Sequence, residues 1–138
     1  MDIKTKVVNY YGGPMIDEGW IELVENGFHP KIDGGLINTE EFKTIIAYDR
    51  SGYYLGVLSF WVDNLVLGGD AIVQMVYVKP EYRKEGISVI LHEALRAYCF
   101  INHIKYISYD VHSQNKAALA THKKRKPLHQ YKTFQYEV

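Results

Sequence analysis

Residues 71–111 constrain the fold more than any other part of the chain. Positions 71–78 are apolar on both faces apart from Gln74, as expected of a strand in the middle of a sheet. Lys79-Pro80 ends that strand, and a short polar turn carrying Gly86 follows. Ile87, Ile90, Leu91, Ala94, Leu95 and Tyr98 then recur at spacings of three and four, which is one face of a helix. His92, Glu93 and Arg96 fall on the predicted wet side, Cys99 off the main apolar stripe, and Asn102-His103 at the end. Residues 106–111 read as a second strand. A strand, a helix and a strand returning to the same sheet make a right-handed crossover. The first N–H groups of such a helix have no intrahelical partner and lie at the positive end of its dipole. With a glycine allowing close approach, the bend at 83–88 is a seat for a phosphate.

The remaining segments complete one sheet. Strands are predicted at 3–10, 42–48, 53–62 and 131–138, with Asp49-Arg50-Ser51-Gly52 as a hairpin turn and a second turn over 63–70. Helices are predicted at 14–26 and 115–124, separated in sequence by a long loop at 28–41 that is a candidate substrate-side segment. The order is β, α, loop, β, β, β, α, β, α, β. At 138 residues the chain is expected to form a single domain spanning 1–138. Sixteen basic residues balance sixteen acidic ones, which disfavours a protein that coats nucleic acid. The basic cluster at 123–126 reads as a helix terminus complementing its dipole. Cys99 is the only cysteine, so no internal disulfide forms and a reducing, cytoplasmic setting is expected. No window has the ~20 apolar residues a membrane span needs, and residues 1–6 lack a signal-peptide core. No metal-ligand spacing is present. An edge strand at either terminus could pair two copies into a homodimer.

This order, and the residues within it, resemble the GNAT superfamily of acyl-CoA-dependent N-acetyltransferases. The family's cofactor loop, Arg/Gln-x-x-Gly-x-Gly/Ala between a central strand and a helix, is matched by Arg83-Lys84-Glu85-Gly86-Ile87-Ser88. The lead-in 78–83 is similar to the family's approach to that loop, and Asn115-Lys116-Ala117-Ala118 matches the Asn-x-x-Ala that often opens the next helix. The likeness spans about residues 42–122. It implies an α/β (α+β) fold: a mixed, mostly antiparallel twisted sheet of about six to seven strands flanked by three to four helices. It also implies an acetyl-CoA (coenzyme A) cofactor, with its pyrophosphate on the amides of Lys84, Glu85, Gly86, Ile87 and Ser88 and with Arg83 and Lys84 adding positive charge. The pantetheine arm would pair like a strand with Met75, Val76, Tyr77 and Val78, and Asn115 would complete the cofactor site. Ser88 stands where the family pattern has Gly or Ala.

The activity so implied is acetyl transfer from acetyl-CoA to a primary amine, of a small molecule or a peptide, by direct attack in a ternary complex. Seven residues after Asn115, where many members carry a tyrosine that protonates the leaving thiolate, this chain has His122, and a histidine can serve as that acid. The central strand has no glutamate base, and Asp110 and His112 are the nearest candidates, with Asp70 at the mouth of that strand another. The glycine-aromatic pair that follows the family's last helix is absent. A second reading stays open: a catalytically degenerate member kept as a binding or assembly module, of viral or mobile-element origin.

Overall fold

The structure, a computed structural model, describes residues 2–8, 43–110 and 133–138. These form a six-stranded sheet in sequence order: β1 (Lys4–Val8), β2 (Lys43–Tyr48), β3 (Tyr54–Asp63), β4 (Asp70–Val78), β5 (Tyr106–Asp110) and β6 (Thr133–Glu137). All neighbours pair antiparallel except β4 and β5, which are parallel and joined through helix α1 (Ile87–Ile101). A single 3-10 turn, Pro80–Tyr82, leads from β4 towards that helix. The expected helices at 14–26 and 115–124 and the loop at 28–41 lie outside the described residues.

Local chemistry accounts for the hairpin. Asp49 accepts hydrogen bonds at Oδ1 from the amides of Ser51 (2.9 Å) and Tyr53 (3.0 Å), and Gly52 takes the left-handed conformation that closes the turn (φ +85°). Helix α1 lays one stripe on the sheet: Ile87, Leu91, Leu95 and Cys99, each four apart, are buried against Leu55, Leu58, Phe60 and Val73. Cys99 therefore belongs to the stripe, contrary to the sequence reading. Ile46, Val57, Met75 and Tyr77 are buried on the opposite face of the sheet.

One irregularity decides what faces α1. Ser59 pairs with Met75 and Phe60 with Val73, so Gln74 is an extra residue on β4. A bulge of this kind reverses the strand's alternation. Ala71 and Val73 point to the α1 side before it. Met75 and Tyr77 then fall on the far side, and Val76 and Val78 return to the α1 side. The β4–β5 ladder runs only from Asp70–Tyr106 to Val73–Tyr109, while the β3–β4 ladder continues to Val78. The two parallel strands are thus fastened at one end. There the amides of Lys105 and Tyr106 bond the carbonyls of Gly68 (2.9 Å) and Gly69 (3.1 Å) in the preceding loop.

Candidate active site

At the end of β4 beyond this fastened region lies a cavity of about 540 Å³ lined by Val76, Val78, Tyr82, Arg83, Lys84, Gly86, Ile87 and Ser88. Each wall follows from the elements above. The bulge turns Val76 and Val78 into it. The 3-10 turn, with Pro80 fitting its first position, brings Tyr82 against the core and reverses the chain. Lys84 (φ 66°) and Gly86 (φ 82°) both take left-handed backbone, and Gly86 is the residue that caps the N-terminus of α1. Alternating left- and right-handed residues point successive amides to one side and make an anion-binding concavity.

Those amides are available. Ile90 donates to the Gly86 carbonyl (3.1 Å) as the first helical bond, and no side chain caps the helix. The N–H groups of Lys84, Glu85, Gly86, Ile87, Ser88 and Val89 donate to no acceptor among the described residues. A Cβ built on Gly86 meets nothing within 4 Å, so this rim opens to space rather than to protein. The helix dipole adds positive potential at the same point.

Arg83 behaves differently from the sequence expectation of a cation simply facing a phosphate. Its Nε donates to the Val78 carbonyl (2.8 Å), and its guanidinium lies 5.6 Å from the centre of the Tyr77 ring. It ties the bend to the last residue of β4 while still lining the cavity. Lys84 and Glu85 are exposed on the rim.

Of the remaining sequence candidates, Met75 and Tyr77 are turned by the bulge to the face away from the cavity, while their neighbours Val76 and Val78 line it. Asp110 is the last residue of β5. His112, Asn115 and His122 lie outside the described residues. Asp70 is no open base: it is 6% exposed and sits at the fastened end of β4. There Ser108 Oγ, 2.9 and 2.7 Å from the two carboxylate oxygens, donates its one hydrogen to them, and Gln135 Nε2 donates to Oδ2 (3.2 Å). Cys99 is fully buried, and desolvation, with a smaller contribution from the charge on Asp70, pushes its thiol up to about 12. A thiol held protonated in this way is no nucleophile. His92, read from sequence as a wet-side residue, is half-buried and its Nδ1 lies 2.8 Å from Tyr109 Oη. Periodicity carried no signal for this contact, because the partner sits on another element.

Among the described residues no group of three or more His, Cys, Asp or Glu side chains is placed to hold a metal ion, and no helix is long and apolar enough to cross a membrane.

A central parallel pair held at one end, with a bulged strand feeding an amide-lined bend and a helix, is the arrangement this chain shares with solved acetyltransferases. The model of the Acetyltransferase (GNAT) family matches residues 15–126, and the chain belongs to that family. Members of this family usually use acetyl-CoA. Solved structures of the same fold include a putative acyl-CoA N-acyltransferase from Klebsiella pneumoniae, with 12% identity, 98% of this chain and 97% of that one covered, and a TM-score of 0.69. An aminoglycoside acetyltransferase from an uncultured soil metagenomic sample aligns at 15% identity over 94% of this chain and 90% of its own, with a TM-score of 0.66. A GNAT-family acetyltransferase from Staphylococcus aureus aligns at 12% identity over 97% and 99%, with a TM-score of 0.64. At these identities the likeness is one of fold. No curated protein sequence matches the chain.

Proposed function

We propose that this chain transfers an acetyl group from acetyl-CoA to a primary amine by direct attack within a ternary complex. The observation that carries the reading is the set of undonated amides at 84–89, opening on a cavity that also exposes the edge of β4. The coenzyme's pyrophosphate sits on those amides, where each N–H gains a charge-assisted bond. Its pantetheine amides run beside the main chain of residues 75–78, adding to the strand where β5 has left it. Arg83, tied to Val78, sets the distance between the phosphate seat and that strand.

The thioester carbonyl then lies near the bulge at Gln74, where the β4 main chain is re-aimed. A backbone donor placed there stabilises the oxygen as charge develops on it. The amine attacks the carbonyl carbon, the carbon–sulfur bond breaks, and the amine's surplus proton passes to Asp110, to His112 or to water. Amine acceptors, small or peptidic, suit such a site. An aminoglycoside acetyltransferase among the solved structures of this fold supports including aminoglycosides in the first acceptor panel.

Isothermal titration tests the reading. Acetyl-CoA binds with micromolar affinity, and Gly86→Glu abolishes binding by placing a carboxylate in the anion seat on a residue whose φ of 82° disfavours any side chain. Absence of binding by the unaltered chain at millimolar acetyl-CoA would overturn it.

A further inference from the structure

The proposed chemistry leaves a thiolate that needs a proton, and the resemblance assigns that task to His122. The described geometry offers another source. Tyr109 stands opposite Val73 on the last rung of the β4–β5 ladder, beyond which β4 continues to Val78. Its ring belongs to the same apolar cluster as Val76 and Val78, which line the cavity. His92 lies one helical turn after Ser88 on α1, about 6 Å along the axis. Ser88 is itself a wall of the cavity. The side of α1 carrying these two residues faces β5, because His92 meets Tyr109. Tyr98, elsewhere round the helix, packs edge-on to Phe60 of β3. Going inward, the order is therefore amide seat, Ser88, then the His92–Tyr109 pair. A pantetheine arm descending from the seat beside β4 has the same direction.

The pair is also built to hold its geometry. Tyr109 is 5% exposed. The Tyr136 ring meets it edge-on at 5.6 Å and 83°, fixing the plane of the phenol. His92 Nδ1 lies 2.8 Å from Tyr109 Oη, with the two rings 5.3 Å apart. His92 is half-buried against the phenol, so the two side chains hold each other in place.

We infer that Tyr109, with His92 behind it, protonates the departing sulfur. The inference rests on the proposed acetyl transfer. As the carbon–sulfur bond breaks, its electron pair stays on sulfur. Sulfur takes the hydrogen of Tyr109 Oη, and Oη takes the hydrogen of His92 Nδ1. The products are the amide, the free thiol of coenzyme A and a neutral imidazole that regains its proton from water. The direction is downhill, because an imidazolium is a stronger acid than a thiol.

The test uses the full chain, acetyl-CoA as donor, and a polyamine, an aminoglycoside and a lysine peptide as acceptors, with water alone as a further acceptor. Release of coenzyme A thiol is followed. Tyr109→Phe, which removes one oxygen, lowers kcat by roughly 100-fold, while acetyl-CoA affinity by titration stays within about twofold. His92→Gln keeps a hydrogen-bond donor but has no proton to release, so it loses rate as Tyr109→Phe does. A Tyr109→Phe chain with kcat within about threefold of the original overturns the inference, as does full activity in His92→Gln. So does a loss of rate that tracks weakened acetyl-CoA binding and a lowered Tm, which is the mark of a packing role. A chain that binds acetyl-CoA but releases no thiol above the spontaneous rate overturns this inference and leaves the cofactor site standing. A chain that binds no acetyl-CoA overturns the functional reading itself.

Discussion

Gly56 makes no contact with the proposed ligand, yet its replacement by alanine is expected to weaken cofactor binding. It sits on β3 opposite Val78, under the point where β4 ends and α1 begins. A Cβ built there meets the Tyr77 carbonyl oxygen at 2.9 Å, Ile87 Cγ2 at 3.3 Å and Val78 Cγ2 at 3.3 Å. The nearest atom is backbone and cannot rotate away. The other two belong to the last residue of β4 and the first of α1, both of them cavity walls. Overpacking at such a site costs about 1–3 kcal/mol. For a chain of this size that lowers Tm by roughly 3–9 °C. Relief comes by moving the start of α1 away from β4, which displaces the amide cluster, and a loss of acetyl-CoA affinity of about tenfold corresponds to ~1.4 kcal/mol. Gly52→Ala is the control. That glycine has φ +85° and nothing within 4 Å of its Cβ, so alanine there costs about 1–2 kcal/mol of backbone strain in the β2–β3 hairpin without an added atom pressing on β4 or α1. Both variants melt lower, but only Gly56→Ala loses affinity in calorimetry. Equal affinities for the two would refute the coupling between the β3 contact and the seat.

Two further outcomes concern the fastened end. Ser108→Ala strips the buried Asp70 carboxylate of the hydroxyl donor it shares between its two oxygens and should cost roughly 1.5–3 kcal/mol, read by urea denaturation; a change within error would mean that Gln135 and the remaining surroundings suffice. Cys99 should resist iodoacetamide in the folded chain across pH 7–9 and react once urea unfolds it, since its thiol stays protonated up to about 12. Because the folded value lies above the unfolded one, the stability linked to this thiol is fully present below about pH 9 and declines as pH rises towards 12. A flat alkaline stability profile in that window would contradict the burial of the sulfur.

The crossover was legible in the sequence because every signal for it is local. Pro80 stops a strand, Gly86 caps a helix, and the Ile87–Leu91–Leu95 stripe shows which side packs. The observed bounds, Asp70–Val78, Ile87–Ile101 and Tyr106–Asp110, fall within a residue of those expected. Cys99 was misplaced although the same count of four from Leu95 reaches it, so there the signal was present and its polarity misled. Three other features depend on how the chain folds back on itself rather than on a local residue pattern. The bulge at Gln74 exists only as a mismatch between two strands. The recoil of Arg83 onto Val78 depends on how tightly the 3-10 turn folds back. The pairing of His92 with Tyr109 depends on how far α1 leans over β5.

The bulge links these to function. Were Gln74 paired in regular alternation instead of bulged, Met75 and Tyr77 would share the face of Val73, and their long side chains would point into the space that Val76 and Val78 now border. In the proposed reaction the bulged strand gives the thioester arm an edge flanked by short side chains and a re-aimed main chain at the reacting carbonyl. The apolar run at 71–78 is consequently less uniform than it reads. Its first half is core. Its second half presents two valines to the cavity and buries a methionine and a tyrosine behind the sheet, and the single polar residue, Gln74, stands at the change of face.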